Sequence, residues 1–433
     1  MCLRLPGILV IVIISYFLSF TDRGPDEEAI RDQSMALLSC ITLFLCGDVM
    51  TGRGIDQVLP NSVDPRLYES YVKDARDYVR LAERVTGRID KPVSYSYIWG
   101  DALEVWEQME PAVRIINLET SITSHDIPWP GKGINYRMHP GNVEVLTSAG
   151  IDFCSLANNH TMDWGREGLS ETMSTLENAG ISYAGAGVDL DEARKPVILE
   201  TGESRVIILA SGSVTSGIPG SWAAGAGSLA ASSEGQAAGP KGRKDGSGSR
   251  ATGPGRPGLN VMTALDDETV SLIGKQVNEV KQRGDIVVYS VHWGGNWGYD
   301  IPESHRDFAR KLIDNAGVDI IHGHSSHHPL GIEVYKDKLI IYGAGDFIND
   351  YEGISGREEY RGDLTLMYFP CIDPSNGTLV SMKMVPMRIR NFRLNHASPS
   401  DARWLRNMLN REGKKMGTGV ISDENRYLSL EWD

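Results

Sequence analysis

Five apolar runs in this chain stop abruptly at polar residues of one chemical kind, and that pattern restricts the fold more than any other feature. Leu43 to Gly47 ends on Asp48, and Ile115 to Leu118 ends on Glu119. Ile151 to Ala157 leads into Asn158, Asn159 and His160, Val287 to Val291 into His292, and Ile320-Ile321 into His322 and His324. A short apolar run bounded by polar residues reads as a buried strand. Open α/β folds collect their sites at the carboxyl ends of such strands. The five ends therefore predict one edge furnished with Asp, Glu, Asn and His. Helical periodicity falls between the runs, at 66–86, up to 179 with Gly180 as its cap, and at 264–283, 303–316 and around 400–412. Further strands are expected near 181–184, 196–200, 205–210, 364–370 and 379–387, which completes an α/β alternation.

Charge narrows the partners. Asp and Glu number 57 against 43 Lys and Arg, a formal charge of −14. Nucleic-acid affinity comes from cations meeting phosphates, so no nucleic-acid partner is expected. A small or polymeric anionic substrate would need cations placed locally. The loop 124–140 supplies candidates in Lys132, Tyr136 and Arg137; it reads either as a substrate-holding loop or as a solvated cover. Among the cysteines, Cys46 and Cys154 lie in expected strands and read as small core residues.

Three stretches stand apart. Residues 1–34 look appended, with an apolar run from Gly7 to Phe20. They read either as a targeting segment or anchor, giving membrane association or secretion, or as an extension ahead of a true start at Met35, giving a cytoplasmic protein. Residues 223–256 are dominated by Ala, Gly and Ser and are expected to be a disordered insert within one domain spanning 35–395. Residues 396–433 read as a C-terminal helical tail.

The strand-end residues suit metal chemistry. Of ten histidines, five fall at His292 and between His322 and His328. Carboxylate, amide oxygen and imidazole together suit Mn, Zn or Fe, and thiolates are missing from the set. Two ions sharing a carboxylate, for which Glu119 is the favoured bridge, would activate water and polarise a phosphoryl oxygen. His160 would then act on a leaving oxygen. Asp163 would orient His160, or else cap the helix that follows it. A glycosidase pair of Asp48 and Glu119 leaves the histidines without a role.

The segments Cys46-Gly47-Asp48-Val49-Met50, Asn117-Leu118-Glu119, Ala157-Asn158-Asn159-His160 with Asp163, His292-Trp293-Gly294, Gly323-His324 to His327 and Ile332 to Tyr335 together resemble the CapA family of poly-gamma-glutamate capsule synthesis proteins. That family is similar to calcineurin-like metallophosphoesterases. The resemblance runs from about Leu43 to Met387. It implies a four-layer αββα sandwich of two mixed sheets and a centre for two divalent ions. It implies Asp48, Glu119, Asn159, His292, His324 and His327 as metal ligands and His160 as the catalytic residue. Met50 stands where the phosphoesterases have a ligand His, and Asp346 where the family often has Asn. His322 and His328 compete with His324 and His327. The expected function is a metal-dependent phosphoesterase or hydrolase acting on a phosphoester or a polyanionic surface-polymer precursor. The alternative is a non-catalytic accessory protein that binds polyglutamate during synthesis or export.

Overall fold

The computed structural model describes residues 40–202, 204–225 and 255–433. The expected extension at 1–34 and most of the insert at 223–256 lie outside the described residues. Among the described residues no helix is long and apolar enough to cross a membrane.

The strands, in chain order, are β1 (Ile41–Val49), β2 (Val113–Leu118), β3 (Phe153–Ser155), β4 (Ser182–Ala184), β5 (Val197–Thr201) and β6 (Ser204–Ser213). Then come β7 (Val261–Met262), β8 (Ile286–His292), β9 (Ile320–His324), β10 (Ile332–Tyr335), β11 (Lys338–Ile341) and β12 (Asp346–Ile348). The chain finishes with β13 (Leu364–Asp373), β14 (Thr378–Ile389), β15 (Leu394–His396), β16 (Thr418–Ser422) and β17 (Leu428–Trp432). One sheet has ten strands in the order β16-β17-β14-β13-β1-β2-β3-β4, with β12 beside β1 and β15 beside β14. The other has seven, in the order β7-β6-β8-β9-β11-β10, with β5 beside β6. Both are mixed: β1, β2, β3 and β4 run parallel while β13 and β14 are antiparallel, and β6, β8 and β9 run parallel while β10 and β11 form a hairpin.

Side-chain alternation along these strands builds the layers. Successive residues of a strand face opposite ways. In β1, Leu43 and Leu45 enter a core shared with Val206, Ile208, Ile286 and Val288 of the second sheet. Phe44 and Cys46 point the other way, against Val79, Trp106, Leu169 and Met173. In β8, Val287, Tyr289 and Val291 turn outward onto Val270, Ile273, Phe308 and Leu312. Helices α1 (Arg76–Thr86), α2 (Ala102–Met109) and α3 (Gly165–Asn178) thus cover the first sheet, and α4 (Asp267–Val280) and α5 (Glu303–Ala316) cover the second. The fold is the four-layer αββα sandwich of two mixed sheets. Cys46 and Cys154 are buried free thiols in the strands where core residues were expected.

Two elements differ from the sequence reading. The helix expected over 66–86 begins only at Arg76, because the chain before it folds back on itself: Arg66 pairs with Asp74, and the Ala75 N–H donates to the Pro65 carbonyl at 2.7 Å. Upstream, Glu69 is drawn inward to Arg53 and Tyr78, while Tyr71 and Val85, both within the expected helix, are exposed. Beyond residue 396 the expected helix, α6 (Pro399–Gly413), is present. Two strands follow it, and β17 joins the edge of the large sheet against β14. The two ends of the insert meet, the Gly225 backbone N–H donating to the Arg256 carbonyl at 3.0 Å, while Trp222 is buried at its base.

Candidate metal centre

The carboxyl ends of β1, β2, β8 and β9 and the first residue of β12 converge. Asp48 lies near the end of β1, in register with Asp346 of β12. That pairing depends on Gly47, where a Cβ would lie 1.6 Å from the Gly345 carbonyl oxygen. Without one, the Asp48 backbone N–H reaches the Gly345 carbonyl at 2.9 Å. Glu119 directly follows β2, and its neighbour Asn117 donates to Asp48 Oδ1 at 2.8 Å. His292 and His324 end β8 and β9 side by side in parallel register.

Two groups of donor atoms result, each within 4.8 Å: Asp48 with His292 and His324, and Asp48 with Glu119 and Asp346. Asp48 is common to both. Glu119, the bridge expected from sequence, stands in one group only; β1, which carries Asp48, has strands on both sides. Asp48 Oδ1 lies 4.0 Å from His292 Nδ1 and 3.8 Å from His324 Nδ1. The two Nδ1 atoms are 2.8 Å apart. Asn159 Oδ1 stands 3.1 Å from His292 Nε2.

The histidines between 322 and 328 separate cleanly. His324 joins the first group, held through Nε2 by Ser290 Oγ at 2.9 Å. His327 Nδ1 contacts both oxygens of Asp346, at 3.0 and 3.1 Å. Between them Ser325 takes a φ of 106°, a backbone state that side chains resist, and the chain reverses there. His322 is turned to the Cys46 carbonyl at 2.6 Å, and His328 accepts the Gly298 N–H at 3.2 Å. Neither of these, nor His327, belongs to a donor group among the described residues.

Electrostatics agree with the geometry. Burial, and then the charge of Asp346, push the Asp48 carboxyl up to about 8. Burial and the charge of Asp48 raise Glu119 well above the usual carboxylate range. Burial holds His292 and His324 well below the usual imidazole value, so both are neutral, as metal ligands must be. Asp48 Oδ2 is buried with no hydrogen-bond partner among the described residues. An orphaned carboxylate oxygen, crowded acids and neutral imidazoles are the surroundings that a divalent cation would complete. These buried Asp, Glu and His groups could bind metal ions.

His160 borders the cluster. Its Nε2 is 4.0 Å from Glu119 Oε1, and its Nδ1 is 2.7 Å from Asp163 Oδ2. The Tyr136 ring stacks on it at 3.8 Å. Burial lowers its pKa to about 4 despite the opposing charge of Asp163. The Lys132 ammonium binds the Asn159 carbonyl and Asp163 Oδ1 and stands 3.3 Å from His160 Nδ1. Of the three residues considered for substrate, Lys132 and Tyr136 are thus partners of His160. Arg137 is engaged elsewhere: it donates to the His125 carbonyl at 2.6 Å and lies over the Trp164 ring at 3.8 Å. Asp346 was not among the ligands chosen from sequence. It follows a Gly-Ala-Gly stretch instead of a long apolar run, although the apolar Leu339 to Tyr342 just before it carries the signal that marked the other strand ends.

The family model for the bacterial capsule synthesis protein PGA_cap matches residues 42–351. A probable polyglutamine synthesis accessory protein of Mycobacterium tuberculosis is 42% identical over 392 residues, covering 90% of this chain and 96% of that protein. The capsule biosynthesis protein CapA of Bacillus anthracis is 24% identical over 387 residues, covering 89% and 75%. Among solved structures, a phosphatase from Mycoplasma pneumoniae aligns over 84% of this chain and 96% of its own, at 11% identity and a TM-score of 0.40.

Proposed function

Because the chain belongs to the family of bacterial capsule synthesis proteins, we propose that it is a divalent-metal-dependent hydrolase serving the synthesis of an anionic glutamyl surface polymer. The reaction would be on a phosphoester or on a precursor of that polymer. The observation that carries this reading is the double membership of Asp48, one buried carboxylate standing in two donor groups with an oxygen left over. The names of the M. tuberculosis and B. anthracis relatives support the link to polyglutamine synthesis and to capsule.

Asp48, His292 and His324 would hold one ion, with Asn159 beside them. Asp48, Glu119 and Asp346 would hold the other, with His327 beside Asp346. The first set contains imidazole nitrogen and suits Zn, Fe or Mn; the second is all carboxylate oxygen and suits Mn or Mg. When bound, such ions polarise a phosphoryl or acyl oxygen and lower the pKa of bound water. His160 is held by Asp163 through Nδ1, which leaves Nε2 directed at the cluster. A neutral ring there gains proton affinity when an anionic substrate arrives beside it. Nε2 can then take a proton from solvent and give it to the departing oxygen. Tyr136, stacked on the ring, fixes its plane, and Lys132 fixes Asp163.

A second reading rests on Met50. It is buried at the position where the phosphoesterases have an imidazole, so the second donor group lacks nitrogen. Such a centre could retain polymer without turning it over. Metal analysis of purified protein, with hydrolysis of a chromogenic phosphodiester by wild type, His160→Ala and Asn159→Ala, separates the readings. The hydrolase reading expects bound metal in wild type and His160→Ala, weaker metal binding in Asn159→Ala, and turnover reduced about 10²–10⁴-fold in His160→Ala. Metal without turnover selects the accessory role, and failure to take up metal removes both.

A further inference from the structure

A cavity of about 360 Å³ lies against the metal-binding residues, within the size range of small-ligand sites. Three residues form the wall it shares with the centre. Asn349 lines it and donates to Asp346 Oδ2 at 2.8 Å. Tyr351 lines it and hydrogen-bonds Tyr136, the residue stacked on His160, at 2.8 Å between hydroxyls. Trp297 lines it with its ring 5.1 Å from that of His327. Val85 and Thr86 close one side, and the rest of the wall comes from residues between 352 and 363 and from 388–390, past the 42–351 stretch that the family model matches.

The charges on that wall are unequal. Asp363 is bound by Arg361 and Arg388, which also reach Asp401. Glu352 accepts from the Phe392 N–H and from Thr86, and Glu358 from the Gly356 N–H. Arg357 and Arg390 form no ion pair among the described residues, and both are exposed. Arg357 stands 5.7 Å from the Trp297 ring, the residue that lies beside His327. Between the charges the surface is apolar, through Val85, Ile354 and Ile389. Two free guanidiniums over an apolar floor, with carboxylates interleaved, disfavour a dense run of phosphates. They fit single carboxylates spaced along an aliphatic chain, which guanidinium binds in a planar fork.

We propose that this cavity is a binding subsite for a carboxylate-bearing chain, gripped by Arg357 and Arg390 and leading past Trp297 to the metal-binding residues. The proposal deepens the functional reading above and rests on it for the reaction at the chain's end. The experiment is titration of metal-supplemented full-length protein with a glutamate oligomer, a glutamine oligomer and polyphosphate. Arg357→Ala/Arg390→Ala is compared with wild type, and metal content is measured on the same samples. The expected result is saturable binding of the glutamate oligomer, weakened about tenfold or more in the double variant, with metal content unchanged. The glutamine oligomer should not bind, and polyphosphate should bind more weakly than glutamate. Binding of the glutamate oligomer that ignores both arginines, or is absent, overturns the subsite. So does tighter binding of polyphosphate through the same arginines. Arginine-dependent binding in protein that holds no metal keeps the subsite and overturns the hydrolase, whereas retained metal and turnover without arginine dependence does the reverse.

Discussion

Asp48 and Asp346 sit opposite one another in register on two parallel strands, β1 and β12, with both carboxyl groups buried. Burial, and then the charge of Asp346, raise the proton affinity of Asp48. The arrangement costs stability in the protein alone and is relieved by a cation. Metal should therefore raise the melting temperature of wild type. At a free metal concentration a hundred to a thousand times Kd, the gain is about 3–4 kcal/mol. Asp48→Asn, which removes the shared donor, should abolish that gain and leave the metal-free protein at least as stable as wild type. Thermal unfolding with added Mn or Zn and with chelator checks both halves. A variant that still gains stability from metal would show that Asp48 is not the shared ligand.

The same pairing predicts the behaviour of Gly47. A Cβ there would collide with the Gly345 carbonyl at 1.6 Å, and neither atom is on a flexible side chain. Gly47→Ala must separate β1 from β12 and so pull Asp346 away from Asp48. The expected loss is about 3 kcal/mol or more, at the upper end for overpacking. Metal affinity should fall with it. Denaturant unfolding and metal titration of one preparation check the two effects together.

How much of this was legible in the sequence depends on whether a role is set by the local run or by a distant partner. Asp48, Glu119, His292 and His324 each end an apolar run, and the alternation within each run encodes the two buried faces of its strand. The membership of Asp48 in two donor groups was not legible. It follows from β1 having β2 on one side and β12 and β13 on the other, a long-range pairing that no local pattern carries. The helix at 303–316 matched at both ends, whereas the one expected from 66 began at Arg76, since the chain before it folds back with Arg66 paired to Asp74. Arg137 illustrates a third case. Its loop brings Lys132 and Tyr136 to His160, yet the direction of the Arg137 side chain depends on the buried Trp164 ring.

Arg137 yields a prediction that separates charge from packing. Its guanidinium lies over Trp164 and donates to the His125 carbonyl, and the residue is buried. Arg137→Ala should cost about 2 kcal/mol through lost packing and an unsatisfied carbonyl. Binding of an anionic oligomer to the folded variant should stay within about twofold of wild type. Loss of oligomer affinity at unchanged stability would restore a substrate role to this residue.

His305 provides a pH dependence remote from the carboxylates. It lies on α5 with its ring stacked on Trp293 at 4.5 Å, and burial depresses its pKa to about 4. The unfolded chain would protonate this residue near its ordinary value of about 6.5. Between those two values the unfolded state binds more protons, so falling pH favours unfolding. The contribution of His305 is fully present above pH 6.5 and is lost as pH falls towards 4. A full shift of this size would be worth about 3 kcal/mol, and residual contact with water reduces it to about 2 kcal/mol. His305→Phe keeps a ring on Trp293 and removes the titration. Urea midpoints measured from pH 7 to pH 4 should therefore decline less steeply in the variant, and the gap between the two proteins should open below pH 6.5. Parallel decline in both would mean that His305 is as easily protonated in the fold as in the unfolded chain.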